Sequence, residues 1–131
     1  MSSTPRAGMD WRDMPITPGD WAWSQEGGQS VARFAGGALS MRCDRASGTV
    51  TVLRSGRAAG SVPLTITTTD TGRTLSASPR GDALAVTLQA RDSLLDAMAF
   101  SRGRFMVEAA GLATLYVPSW PEVGRVIEDC R

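Results

Sequence analysis

The sequence predicts a mainly β protein, an antiparallel β-sandwich or partly open barrel with two short helices near residues 92–101 and 120–130. Three observations carry that expectation. Apolar and polar residues alternate over short runs, so Leu39, Met41 and Cys43 share one strand face while Ser40, Arg42 and Asp44 share the other. Turn signals built from Gly, Pro, Ser and Asp recur at roughly the 8–12-residue spacing of all-β domains. The period changes to that of a helix at two places, after Asp92 and after Ser119.

Residues 1–19 are polar and carry Pro5, Pro15 and Pro18, so they read as an extended or flexible tail that Trp11 could pin. A single β-sandwich domain is expected over 20–131. Trp21 and Trp23 alternate with smaller residues, Gly27-Gly28 supplies a turn, and Val31 to Phe34 returns, which predicts a hairpin. A strand over 38–44 follows, then a turn at 45–48, then a strand from Thr49 to Arg54 with Val50 and Val52 inward. Val62, Leu64 and Ile66 mark a strand rich in β-branched residues. Thr74 to Ala77 reads as a short edge strand, and Leu84, Val86 and Leu88 as another inward face.

Asp92 is placed to cap a helix in which Leu94, Leu95 and Met98 recur at helical spacing and Phe100 lies near the end. Phe105 and Val107, then Leu112 to Val117, predict a hairpin around Ala110-Gly111. Ser119-Trp120-Pro121-Glu122 has the spacing of a Ser-x-x-Glu capping box with proline in the first turn. Behind it Val123, Val126, Ile127 and Cys130 fall on one helical face.

Composition limits the function classes. The 131 residues have a net charge of +1, with all 14 basic residues arginine, 13 carboxylates and no His. Without a basic block there is little counterion-release attraction, so no nucleic-acid partner is expected. The absence of His removes the commonest general base and metal ligand. No apolar run approaches the roughly 18 residues of a membrane-spanning helix, so no membrane-spanning segment is expected. The first residues, Met1-Ser2-Ser3-Thr4-Pro5-Arg6, lack the apolar core of an export signal. Either the chain is cytoplasmic, or it is a mature form without its signal.

No catalytic, cofactor-binding or metal-binding residue emerges. Asp92 and Asp96 lie four apart, but the plainer reading is a helix cap and a solvated acid near the positive end of the helix dipole. Asp10 and Asp13 are too few to hold an oxygen-liganded metal. There is no Gly-x-Ser-x-Gly elbow, phosphate loop or dinucleotide fingerprint. Arg102 to Val107 has the look of an RNA-binding strand, yet Phe105 is its one aromatic where such strands need several.

Trp21, Trp23 and Trp120 are a possible aromatic contact surface; if buried, they are instead the large members of a small core. Cys43 is in phase with Leu39 and Met41, and Cys130 with Val123 and Val126, so both turn inward. A disulfide between Cys43 and Cys130 is expected; the alternative is two reduced thiols serving as small apolar residues.

From residue 38 onward the order of elements resembles a known group. A strand ends in Arg42-Cys43, a Val50-Thr51-Val52 strand and Pro63-Leu64-Thr65-Ile66 follow, and after the Leu94-to-Phe100 helix come Phe105-Met106-Val107, a hairpin and a helix ending in Cys130. This is similar to bacterial envelope β-sandwich proteins of the invasion-associated locus B type and to VasI-like proteins encoded with type VI secretion systems. The Ser-Trp-Pro-Glu-Val…Asp-Cys-Arg ending looks closer still to short alphaproteobacterial proteins. The chain departs from the locus B pattern in having only two cysteines. The resemblance implies a periplasmic or surface-exposed, non-enzymatic protein, disulfide-bonded and without cofactors. Its partner would be a protein or other envelope component. The alternatives are a cytoplasmic small-ligand or protein-binding domain and a hydrolase working without His.

Overall fold

The computed structural model describes residues 10–131. The chain is mainly β. Nine strands, β1 (Trp21–Glu26), β2 (Gln29–Phe34), β3 (Leu39–Asp44), β4 (Thr49–Ser55), β5 (Val62–Thr67), β6 (Gly72–Arg80), β7 (Ala83–Gln89), β8 (Arg104–Ala109) and β9 (Leu115–Pro118), are joined by two helices, α1 (Ser93–Ala99) and α2 (Pro121–Asp129). The strands form one antiparallel sheet in the order β1-β2-β3-β4-β7-β6-β5-β8-β9.

Local sequence explains most of these elements. The β1–β2 turn is Gly27-Gly28, both with positive φ (59° and 80°), the backbone that a tight hairpin with native twist requires. Period-two alternation then holds in β3, whose buried positions are Leu39, Met41 and Cys43. The same inward face continues through Val50 and Val52 of β4 and through Leu84, Val86 and Leu88 of β7.

The segment expected as a short edge strand over 74–77 is the nine-residue β6, and it lies in the interior of the strand order. Its first part pairs with β5, from Val62↔Ala77 to Thr67↔Gly72, and its last part pairs with β7, from Ser78↔Ala85 to Arg80↔Ala83. A strand that changes partners at Ala77/Ser78 makes the corner of a sandwich-like sheet, with β1–β4 and β7 on one side and β5, β8 and β9 on the other. The apolar core lies between the two sides and includes Phe34, Leu64, Ile66, Phe105, Val107 and Val117.

The sheet is not closed into a barrel. Its two outer strands, β1 and β9, are joined by side-chain and loop contacts. The Trp21 indole N–H donates to the Pro118 carbonyl at 2.8 Å. Just upstream, the Thr17 N–H donates to the Tyr116 carbonyl at 3.0 Å, and the Tyr116 N–H donates to Thr17 Oγ1 at 2.9 Å. Arg104 also donates to the Met14 carbonyl. The expected N-terminal tail falls partly on residues 1–9, outside the described residues. Within 10–19 it forms a 3-10 turn at Trp11–Asp13 and then runs along β9 before entering β1. Gly19 is needed at that crossing. A Cβ built there lies 2.5 Å from the Ala35 Cβ, and its φ of 140° disfavours any side chain.

α1 starts where expected, with Asp92 Oδ1 accepting from the Leu94 N–H at 2.9 Å. α2 differs at its start. Trp120 is the N-cap and makes no side-chain cap bond, while Pro121 opens the helix. The expected Ser119/Glu122 capping box does not form. Ser119 sits one residue too early, its N–H donating to the Gly103 carbonyl at 3.1 Å, and its hydroxyl has no partner. The apolar face read from the sequence is correct: Val123, Val126 and Ile127 are buried, and α2 packs on β1, β2 and β3 and against α1.

Because Trp21 joins the two outer strands, Trp21→Phe should leave the Pro118 carbonyl without its donor. We expect a loss of about 1–3 kcal/mol in urea unfolding. An unchanged midpoint would show that the sheet edges are held by the upstream segment alone.

Candidate functional site

The side chains that tie α2 to the sheet fix the surface around it. Cys130, just past α2, and Cys43 on β3 lie at disulfide distance, with a Cα–Cα separation of 5.5 Å and a sequence separation of 87. Trp23 Nε1–H donates to Ser30 Oγ at 2.7 Å, and Ser30 Oγ donates to Asp129 Oδ2 at 2.7 Å. The Arg125 guanidinium lies 3.4 Å from the centre of the Trp23 ring, close enough for a cation–π contact. Arg131 grips Asp96 of α1 with two parallel bonds of 2.8 and 3.0 Å and also donates to the Ala90 carbonyl at 2.7 Å. That carboxylate raises the Arg131 pKa further. Asp96, expected as a solvated acid, is therefore the partner of the C-terminal residue.

The three tryptophans do not form one surface. Trp21 is 5 % exposed, inside the core, with its ring 5.5 Å from that of Phe34. Trp23 lies half-buried beneath Arg125. Trp120 alone stays open, at 40 %, because the turn into α2 leaves its ring outside the packed face. Its neighbour is a residue that the sequence placed only near the end of α1. Phe100 ends α1 and is 80 % exposed. A phenylalanine this exposed is unusual, and it stands beside a second exposed aromatic.

Between them runs a groove of about 380 Å³ lined by Ala99, Phe100, Trp120, Pro121, Gly124 and Ile127, with Asp96, Ser119 and Glu128 also on its walls. Its walls are mostly apolar. Gly124 forms an open stretch of floor, since a Cβ added there would meet nothing within 4 Å. On the far side of Phe100 a larger hollow, about 720 Å³, is lined by Arg12, Thr69, Asp70, Ser93 and Arg102 among others. That hollow is polar and carries both signs of charge. The groove is the better-defined binding feature, because apolar walls with a few polar groups favour a desolvated contact.

Two further charged features stand apart. On the outer face of β1–β3, Glu26 pairs with Arg33, whose Nη2 donates at 2.6 Å, and with Arg42 at 3.3 Å. Arg33 first, then the Ser24 hydroxyl, hold the Glu26 carboxyl down at about 2. Arg54 is more unusual. It lies on the inward face of β4, 7 % exposed, and donates to the Ser55 and Ala113 carbonyls, each at 2.6 Å. Its Nε has no partner and burial lowers its pKa. Donation to backbone on both sides makes it a staple between the end of β4 and the β8–β9 loop. The sequence carried a signal for it, because position 54 continues the Val50, Val52 phase.

Among the described residues no group of three or more His, Cys, Asp or Glu is placed to hold a metal, and no helix is long and apolar enough to cross a membrane. Compared with protein-family models, curated proteins and solved structures, the chain matches none.

The Glu26 pairing gives a pH test. A carboxyl held at about 2 in the fold, against 4.5 ordinarily, stabilises the fold fully above pH 4.5 and loses that contribution as pH falls toward 2. The stability gap between the wild-type chain and Glu26→Gln, from urea midpoints, should therefore be steady above pH 4.5 and shrink below it. A gap unchanged down to pH 2 would contradict the pairing.

Proposed function

We propose that this chain is a non-enzymatic protein of a bacterial cell envelope, periplasmic or surface-exposed, that acts through contacts with a partner protein. One observation carries the reading: Phe100 and Trp120 flank a mostly apolar groove and are the exposed large apolar residues among those described. Aromatic residues at the lip of a groove are the usual anchors of a protein contact. The cysteine pair at disulfide distance is compatible with an oxidising compartment and supports the envelope over the cytoplasm. The resemblance of residues 38–131 to envelope β-sandwich proteins points the same way. The lack of any His supports a binding role over hydrolysis.

In-cell photocrosslinking tests this. A benzophenone amino acid at position 100 should give a discrete adduct with an envelope protein, recovered with the envelope fraction. The same probe at Arg80, an exposed site on β6 outside this groove, should give none. Adding Gly124→Leu, which fills the groove floor, should remove the adduct. No adduct at position 100 above that at position 80, or recovery with the cytosol, would contradict the proposal.

A further inference from the structure

The rim of the groove is acidic, which narrows what it can hold. Asp96 and Glu128 line it, and no basic residue does. Arg131 neutralises Asp96. Glu128 also acts on Arg131 through space, but among the described residues it forms no salt bridge. The one basic residue of α2, Arg125, is turned away onto Trp23. The groove thus joins apolar walls, two aromatic rings and two carboxylates that share a single nearby arginine.

From this we infer that the groove takes a partner segment with one large apolar side chain flanked by a basic residue. The apolar group would lie over Gly124 and Ile127, between Phe100 and Trp120. The basic group would reach Glu128 at the rim, where a cation also gains from an aromatic face. A volume of about 380 Å³ suits one or two side chains rather than a whole helix face. One or two seated side chains make a far smaller contact than the roughly 20–30 residues a side of a stable dimer, which favours a short segment over a second copy of this chain. The inference rests on the proposed contact role and adds the chemistry of the partner.

The test uses the full chain, ¹⁵N-labelled, and three capped tripeptides. Acetyl-Arg-Phe-Arg-amide should shift the Gly124 amide and the Trp120 indole N–H saturably. Acetyl-Glu-Phe-Glu-amide should bind about tenfold more weakly or not at all, because its charge faces the acidic rim. Acetyl-Arg-Ala-Arg-amide should lose a comparable factor through its missing ring. Gly124→Leu is built on a helical position with open space, so the fold is kept while the groove is filled, and all three responses should vanish. Equal binding of the acidic peptide, no saturable shift, or shifts that survive Gly124→Leu would overturn the inference. So would shifts of the same signals on concentrating the protein alone, which would identify a second copy as the occupant. If position 100 still crosslinks to an envelope protein while the peptides fail, the contact role stands and only this chemistry falls.

Discussion

The pairing of Cys130 with Cys43 is the constraint on which the functional surface depends. α2 has nine residues, too few to be stable alone in water. Its start is weakly capped, since Trp120 offers no side-chain bond. What holds it is its buried face on β1–β3 and a tie at its far end. Closing a loop of 87 residues removes chain entropy worth about 4.5 kcal/mol on the loop-closure model. The Arg131–Asp96 pair, next to the tie, then fixes α1 against α2. The groove exists because both helices are held at once.

The sheet solves a different problem. An open antiparallel sheet leaves two edges able to pair with other chains. Here the corner in β6 brings those edges near each other, and the segment before β1 spans them. Trp21 and Thr17 supply the bonds. Arg54 staples the end of β4 to the β8–β9 loop, donating to carbonyls where a ladder cannot. Ordered backbone is thereby satisfied without full closure. Trp21, one of the three tryptophans offered as a contact surface, is used up inside this arrangement.

Much of the fold was legible because alternation and helical spacing are strong where one face is buried. β3, β4 and β7 read clearly, as did the Val123, Val126, Ile127 face of α2. β6 did not, because a strand that changes partners midway buries little on either face; of its nine residues only Ala77 is fully buried. The capping box misled because Pro121, with its fixed φ and missing N–H, starts the helix one residue later than the Ser-x-x-Glu spacing implies. Arg54 was visible in phase but hidden by its type, since a charged residue is rarely read as inward. Of the candidate site, Trp120 was legible and Phe100 was not. Spacing along a seven-residue helix cannot distinguish its last packed residue from the first exposed one.

The thiol state of natively isolated protein tests the account most directly. Cells are quenched in acid, and the chain is unfolded and alkylated with iodoacetamide without reductant, then weighed by mass spectrometry. An unlabelled chain is expected, with both cysteines joined and the helical end covalently held. A chain carrying two labels would contradict it, leaving α2 fixed by packing alone and the envelope assignment without its chemical support.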